Sequence, residues 1–309
     1  MTVKIFKSRF VNESHKSPQF FTNVLILNNT CLMTKIKQIG SIMKVDDQGY
    51  LVPFNIVDNF QTKWEKPIQE ILKGYLDNYN KDLHSVYIRG SVARGLAIDF
   101  ISDLDTLCII NLPIEKLDTS WATSYKMKVN NKYDFINGIE QKIISINELF
   151  NNNNISNSLR FHIKTQSKCI YGENLTSQIN PMKFDDSISI HKSFLKNDIE
   201  DVLSTIDNED QLTLIETCSW IMKRIPRSAF EVVMLRVSGY TRDLYYCYLE
   251  FSRFYPQYDF QMKKVLELAV YPKGDKNLIK STILNMGRSL VEIIDELANK
   301  DSFIVKIKV

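Results

Sequence analysis

The stretch that decides the fold is HSVYIRGSVARGLAIDFISDLDTLCIINL, at positions 84–112. It begins with a short run of β-branched and aromatic residues, which predicts a strand that leads directly into Gly90-Ser91. After a loop, Asp103-Leu-Asp105 opens a second run that is apolar at nearly every later position, as expected of a central strand in a sheet. The stretch therefore predicts a strand, a turn between glycines and a second strand.

Asp103 and Asp105 are separated by one residue. Side chains at i and i+2 of a strand project from the same face, so the two carboxylates are predicted to lie together at one edge of the sheet. Converging carboxylates are costly unless a cation joins them, and oxygen ligands suit Mg²⁺. Gly90 and Gly95 let a backbone approach a phosphate, and the N–H groups beside Ser91 at a helix start can bind an anion. A phosphate site beside a magnesium site is the equipment for nucleotidyl transfer.

The order of these motifs, Gly90-Ser91 followed by Asp103-x-Asp105, resembles the signature of the DNA-polymerase-β-like nucleotidyltransferase superfamily. The intervening segment, 92–102, is one residue longer than in the short bacterial members. The resemblance extends over roughly residues 57–175. It is closest in layout to the two-domain bacterial aminoglycoside-type adenylyltransferases.

The resemblance implies three catalytic carboxylates that also bind metal. Asp103 and Asp105 are two of them, and the third is best placed at Glu140, where the predicted strand 139–146 is similar to the acidic strand of the family. The implied role of Glu140 is that of a metal ligand or of a general base for the acceptor hydroxyl. Asp134, a few residues earlier, is the alternative third carboxylate.

The resemblance also implies nucleotide contacts. In the first part of the chain these are Gly90, Ser91, Arg94 and Ser102. In two-domain members the helical second domain supplies cations to the phosphates, and here the implied residues are Lys223 and Arg227. These two are four residues apart and suited to one helix face, although Pro226 lies between them. A solvated basic face with local salt bridges is the alternative interpretation.

Hydrophobic periodicity predicts an α+β chain. A helix is expected over 57–79, with Asp58 as its cap and with a kink or a late start because of Pro67. From 155 onward the spacing is helical, with a break at Pro226 among others. We therefore predict a small mixed-sheet nucleotidyltransferase domain followed by an all-helical C-terminal domain. The expected boundaries are a basic N-terminal extension at 1–44, the nucleotidyltransferase domain at 45–180 and the helical domain at 181–309.

Composition limits the class of protein. The 309 residues are 44% hydrophobic and 24% charged, which is typical of a globular protein and not of a disordered chain. No apolar run approaches the ~18 residues of a membrane helix, and no secretory signal is evident. Five scattered cysteines without metal spacing favour a reducing cytoplasm. Residues 1–44 carry seven basic side chains and one acidic one, so their net charge of +6 leaves −3 for the rest of the chain.

The expected activity is transfer of a nucleoside monophosphate, AMP from ATP, to a hydroxyl of an aminoglycoside-like small molecule, with two Mg²⁺ ions. The slightly acidic body suits a cationic acceptor. One alternative is modification of a macromolecule, either AMP transfer to a protein or nucleotide addition to a tRNA 3′ end. Only the basic extension supports nucleic acid as a partner, so it is not favoured, and no membrane partner is expected. The other alternative is a nucleotide-binding protein without catalysis.

Overall fold

A computed structural model describes the backbone of residues 36–307 and their side chains, except those at positions 114, 154 and 300–307. Residues 1–35, most of the predicted basic extension, lie outside the described residues. The described part forms one compact unit. Its strands are β1 (Met43–Lys44), β2 (Leu83–Arg89), β3 (Leu104–Ile110), β4 (Ile139–Ser145), β5 (Ser167–Gly172) and β6 (Gly239–Tyr240).

The helices divide between the two halves of the chain. Those of the first half are α1 (Thr62–Tyr79), α2 (Gly90–Ala93), α3 (Ser120–Lys132), α4 (Ile146–Leu149) and α5 (Asn154–Gln166). Those of the second half are α6 (His191–Thr205), α7 (Gln211–Val237), α8 (Leu244–Phe254), α9 (Asp259–Val270), α10 (Lys276–Thr282) and α11 (Arg288–Ile307). In the part of the chain that the structure describes, no helix combines the length and the apolar character needed to cross a membrane.

Four strands form the central sheet in the order β4-β3-β2-β5. β3 and β4 are parallel, whereas β2 is antiparallel to both β3 and β5. The sheet is therefore mixed, and a mostly helical region follows it, which confirms the predicted fold class. β4 is at one edge of the sheet, so side chains at its start are accessible from the side.

The sheet is covered on both faces. Val86, Ile88 and Leu104 pack with Trp64 and Tyr75 of α1. The opposite face carries Tyr87, Leu107 and Ile109, which pack with Leu159 and Ile163 of α5. Since side chains alternate along a strand, the odd-numbered positions 89, 103 and 105 follow the periodicity of this second face. The polar residues at the strand ends thus belong to the face that α5 covers.

The first long helix begins later than its predicted start. α1 begins at Thr62, so Asp58 is not its cap, and Gln61 at the N-cap makes no side-chain capping bond. Pro67 lies inside the helix and is buried. Because the proline lacks one backbone donor, it costs a single helical hydrogen bond, and the buried positions around it, such as Trp64 and Ile68, hold this face against the sheet.

The predicted break at Pro226 is wrong. α7 runs without interruption from Gln211 to Val237, with Pro226 buried inside it. Its neighbours Met222, Ile225 and Phe230 are fully buried in the helical core. Packing of this helix against α6, α8 and α9 offsets the lost backbone bond, because most helical stability in proteins comes from tertiary contacts.

The helical region at the end of the described chain is interrupted in its middle. A π-helical segment, Ile283–Gly287, connects α10 to α11. Gly287 lies against α6, where an added Cβ would be 2.9 Å from Ile199 Cδ1. The extra residue in the turn is the usual signature of a π-bulge, and here it accompanies close packing between two helices.

A second, two-stranded sheet joins distant parts of the chain. β1 pairs with β6, with Met43 opposite Tyr240 and Lys44 opposite Gly239. Met43 is buried. The segment 36–58, which we call the strap, thus runs from the helical half to α2, where the Val57 N–H donates to Ala93 O (3.1 Å). The proposed boundaries at 44 and 180 stay predictions.

Candidate active site

The register of the sheet brings Asp105 and Glu140 side by side. Asp105 is opposite Glu140 on β4 and opposite Arg89 on β2. A Cβ built at Gly90 would lie only 2.9 Å from Asp105 Oδ2. The carboxylate is therefore directly against the Gly-Ser turn, at the strand end where the sequence predicted it.

Asp103 lies one residue before β3 and has two polar partners. Asn137 Nδ2 donates to its Oδ1 (2.8 Å), and Lys223 Nζ of α7 is 3.4 Å from its Oδ2. A Cβ built at Gly138 would lie 3.2 Å from the same Oδ1. Asp103 is thus held between the loop before β4 and a cation from the helical half.

The pKa of Asp105 is raised, first by burial and next by the negative charge of Glu140. Arg89 acts in the opposite direction, and Asp103 raises the pKa further. Arg89 Nη2 is 3.3 Å from Glu140 Oε2. Three carboxylates therefore lie within electrostatic reach of one another, partly compensated by Arg89 and Lys223. Crowded acids of this kind are stabilised by a cation.

The chemistry of these donors fits Mg²⁺. Asp103, Asp105 and Glu140 offer only oxygen ligands, and the like charge around Asp105 is what a divalent ion would neutralise. Asp103 and Glu140 each keep 37% of their side-chain surface exposed. Among residues 36–307, no three Asp, Glu, His or Cys side chains are arranged so that they could hold a metal ion as they stand. Lys223 and Arg89 each pair with one of the acids.

The Gly-Ser turn has the backbone geometry that favours glycine. Gly90 and Gly95 have φ values of +67° and +68°, a region that other residues adopt only with strain. A Cβ at Gly95 would also lie 2.7 Å from Val57 Cγ1 of the strap. Ser91 is half-buried at the start of the four-residue helix α2. Ser102 Oγ accepts from the Ile98 N–H (2.9 Å) and so braces the loop before Asp103.

Of the two predicted cations of the helical half, one contacts a carboxylate directly and the other lies within the electrostatic influence of a second carboxylate. Lys223 contacts Asp103, as described above, and Arg227 lies one turn later on α7, where the charge of Asp105 influences it. The pKa of Arg227 is lowered to about 10, first by burial and then by Arg242. Arg227 therefore stays protonated at neutral pH, and the two residues share one helix face despite Pro226.

A histidine between two arginines completes the cationic side. Arg89 Nη1 is 3.3 Å from His162 Nδ1, and Arg242 Nη1 is 2.6 Å from His162 Nε2. Burial and the charges of Arg242, Arg89 and Arg227 hold the pKa of His162 well below its usual range. The imidazole is thus neutral, and guanidinium groups face both ring nitrogens. The positive charge gathered here favours an anion.

Arg89, His162 and Arg242 were not among the site residues proposed from the sequence. Arg89 directly precedes Gly90, so its position on the strand was a usable signal. His162 is on α5 and Arg242 precedes α8, so the two are far apart along the chain. Only the packing of α5 and the loop at 239–243 against the end of β2 unites them.

Two further residues have well-defined surroundings. Asp134 is exposed in the turn between α3 and β4, whereas Glu140 is the register partner of Asp105. Arg94, implied as a nucleotide contact, is buried and forms a two-pronged ion pair with Asp243, with N–O distances of 2.9 and 2.8 Å. The roles implied for both stay predictions.

Comparisons of sequence find no relative of this chain. No protein-family model matches it, and no curated protein matches it either.

Comparison of structures shows that this chain shares its fold, a mixed sheet followed by a mostly helical region, with a solved adenyltransferase. That protein is spectinomycin adenyltransferase AAD(9) from Enterococcus faecialis, whose crystal structure contains ATP and spectinomycin. The TM-score is 0.50 at 14% sequence identity, over 73% of this chain and 98% of that one. A chain of the toxin–antitoxin complex MntA–HpeT also matches, over 45% of this chain and 95% of that one, at 15% identity and a TM-score of 0.25.

Proposed function

We propose that this protein is a nucleotidyltransferase that moves AMP from ATP to a hydroxyl of an aminoglycoside-like small molecule. The observation that carries the proposal is the placement of Asp103, Asp105 and Glu140 on one face of the sheet, beside a turn at Gly90-Ser91 and opposite cations of the helical half. Spectinomycin adenyltransferase AAD(9), which shares the fold, has ATP and spectinomycin in its crystal structure.

The carboxylates would hold Mg²⁺, with two ions expected. When bound, the metal would neutralise the triphosphate and polarise the α-phosphorus. Asp105 suits a ligand position because its carboxylate lies directly against Gly90. Asp103 and Glu140 each keep 37% of their side-chain surface exposed and would border the space that an acceptor enters.

The other proposed roles concern the attacking hydroxyl and the leaving pyrophosphate. Glu140 would accept the proton of the acceptor hydroxyl, whose oxygen bonds to the α-phosphorus as the bond to pyrophosphate breaks. Lys223 and Arg227 would neutralise the charge that grows on the leaving pyrophosphate. The Gly90-Ser91 turn would cradle the phosphates through backbone N–H groups and the Ser91 hydroxyl.

The position of β4 favours a small acceptor that approaches from the edge of the sheet. Glu140 is on this edge strand and is partly exposed. The arginines and His162 gather on the other side, towards β2 and β5. A cationic acceptor would therefore meet carboxylates on the open side, and the triphosphate would meet cations on the closed side.

The proposal is tested with ATP labelled at the α-phosphate, Mg²⁺ and separate panels of aminocyclitol and aminoglycoside antibiotics, total RNA and proteins. We expect label on a small molecule and release of pyrophosphate. Label on RNA or protein alone would replace the small-molecule proposal with one of the macromolecular alternatives. ATP binding without pyrophosphate release under every acceptor would leave a non-catalytic nucleotide-binding protein.

Two matched variants assign the result to the site. Asp103→Asn should fold normally and lose transfer, while Asp134→Asn, the same change at an exposed acid, should keep it. Wild-type turnover of Asp103→Asn in excess Mg²⁺ and ATP would refute the assignment.

A further inference from the structure

Arg94 and Asp243 join the two halves of the chain through a buried ion pair, which we call the clamp. Arg94 follows α2 in the Gly-Ser turn, and Asp243 is the N-cap residue of α8. Both guanidinium Nη atoms donate to the carboxylate, at 2.9 and 2.8 Å. The two side chains are only 5% and 19% exposed. A two-pronged pair removed from water has a fixed geometry, unlike a mobile surface salt bridge.

The surroundings of the clamp leave it little freedom. The Arg94 guanidinium carbon is 3.8 Å from the centroid of the Phe54 ring, which covers one of its faces. The Ser41 N–H donates to Asp243 Oδ2 (2.9 Å). Gly40 is so close that an added Cβ would lie 2.0 Å from the same oxygen. The strap therefore encloses the ion pair with the Phe54 ring, the Ser41 N–H and Gly40. Any side chain at position 40 would collide with Asp243.

The loop that carries Asp243 also carries a cation of the site. Arg242, its neighbour, donates to His162, and the Arg242 carbonyl accepts from Arg227 Nε (3.4 Å). His162 in turn contacts Arg89, which directly precedes the Gly-Ser turn. The loop 239–243 is thus connected to the Gly-Ser turn in two ways. Arg242 reaches it through His162 and Arg89, and Asp243 reaches it through the clamp.

We propose that Arg94 is a positioning residue, and not a nucleotide contact: its ion pair with Asp243 holds the loop 239–243 so that Arg242 and Arg227 face the carboxylate edge. Both Nη atoms are already engaged by Asp243, so Arg94 reaches a phosphate only if this pair opens. The catalytic consequence rests on the proposed nucleotidyl transfer, whereas the clamp itself does not.

The first test compares Arg94→Met, Asp243→Asn and the double variant. Met keeps the packing against Phe54 and Asn keeps the shape of Asp243, so each variant removes the ion pair with little change of volume. If the pair acts as one positioning unit, both single variants lower kcat about 10- to 100-fold and change KM for ATP less than about threefold. The double variant should then be no worse than the worse single variant.

A nucleotide contact would behave differently. Arg94→Met would then raise the Kd for ATP tenfold or more while Asp243→Asn left it unchanged or lowered it, since Arg94 would be released towards the phosphates. That result, or additive effects in the double variant, would overturn the proposal. Arg94→Lys, which keeps the charge but not the two-pronged geometry, should rescue kcat only in part if the geometry is what matters.

Hydrogen exchange tests the clamp without any turnover. In both single variants the amides of 40–44 and 239–243 should exchange at least tenfold faster than in the wild type. Arg253→Gln, at an exposed position on α8, should leave them unchanged and serves as the matched control. Unchanged exchange in the two pair variants would show that other contacts hold the loop and would overturn the proposal.

One wild-type measurement decides whether the pair stays closed. If ATP and Mg²⁺ speed up exchange at Ser41, whose amide donates to Asp243, then Arg94 leaves the carboxylate for the nucleotide and the proposal fails. We expect exchange there to stay the same or to slow down. Hydrogen exchange and the affinity for ATP can both be measured without an acceptor. A protein that transfers no nucleotide would therefore refute the proposed function, while the exchange rates would still show whether the clamp holds the loop.

Discussion

The carboxylate side and the cation side of the site differ in how the chain builds them. Asp103 and Asp105 reach the site on one strand, and Glu140 joins them by the register of the neighbouring parallel strand. The cations that face them come from distant elements, among them the end of β2, α7 and the loop before α8. The first side depends on local sequence and strand pairing, whereas the second depends on how the helical half packs against the sheet.

In the proposed reaction, the carboxylate side supplies the chemistry and the cation side aligns the nucleotide. A metal ligand must have one type of side chain at one place, so the carboxylate side should tolerate no change of functional group. The cation side spreads positive charge over several residues, so the loss of one cation should lower turnover only in part. Substitutions on the two sides test whether they differ in this way.

The largest effect is expected at Asp105. Asp105→Asn should lower turnover by about three orders of magnitude or more, since a neutral amide is a poor ligand for Mg²⁺. The same change should raise the free energy of unfolding without Mg²⁺ by about 1 kcal/mol, because it relieves repulsion from Glu140 and Asp103. Pyrophosphate release and urea unfolding measure the two quantities, with Asp134→Asn as the control.

An unfolding free energy that falls in Asp105→Asn would contradict the crowding of charge described for this edge. Unchanged turnover would remove Asp105 from the site altogether.

A smaller effect is expected at Arg227 on the cation side. Arg227→Met should lower kcat about 10- to 100-fold and change KM for ATP less, because a charge that would stabilise the leaving pyrophosphate in the transition state is lost. Steady-state kinetics at varied ATP concentration separate the two constants. Lys196→Gln, at an exposed position on α6, provides the comparison. A drop in turnover as deep as that of Asp105→Asn would break the contrast between the two sides.

The third prediction concerns the support of the cation side. Glu231 of α7 is buried and accepts from the backbone N–H groups of Ile190 (3.1 Å) and Lys192 (2.8 Å). It therefore caps the start of α6 in place of Ile190, which has no side-chain acceptor. Glu231→Ala should lower the free energy of unfolding by about 2 kcal/mol, because buried donors lose their acceptor.

Urea unfolding checks this loss against Glu216→Ala, the same substitution at an exposed position on α7. Equal losses in the two variants would mean that the capping contacts add nothing.

The smallest effect concerns the two buried histidines, His162 and His191. Burial and neighbouring arginines lower the pKa of both groups well below the usual value. The unfolded chain binds protons below about pH 6.5 while the folded protein does not, so stability is lost as the pH falls below that value. Each histidine can cost up to about 2 kcal/mol between pH 6.5 and pH 5.

His191→Gln should make this loss smaller. Urea unfolding of the wild type and of the variant at pH 5 and pH 7.5 measures the difference. A variant whose stability falls as steeply as that of the wild type would show that His191 takes up its proton in the folded state.

The site could be predicted from the sequence where it depends on neighbours along the chain. Gly90-Ser91 and Asp103-x-Asp105 indicated the class of fold, and the structural match confirms it. The register placed Glu140 beside Asp105, as the order of motifs had suggested. The break at Pro226 and the cap at Asp58 were wrong, because propensity rules weigh one residue at a time and the packing of a whole helix can outweigh them.

His162, Arg242 and the pairing of Arg94 with Asp243 could not be predicted. His162 is 73 positions from Arg89, and Asp243 is 149 positions from Arg94. No periodicity links residues so far apart, since their contacts depend on how separate elements pack.

By itself, the sequence determined a sheet whose acidic strand follows a glycine-bounded turn, because alternation along a strand and the freedom of glycine act within a few residues. Only the tertiary structure decided which cations face those acids and what Arg94 contacts. Long side chains such as arginine have many possible partners, and the choice among them is made by burial, when two distant surfaces exclude water together.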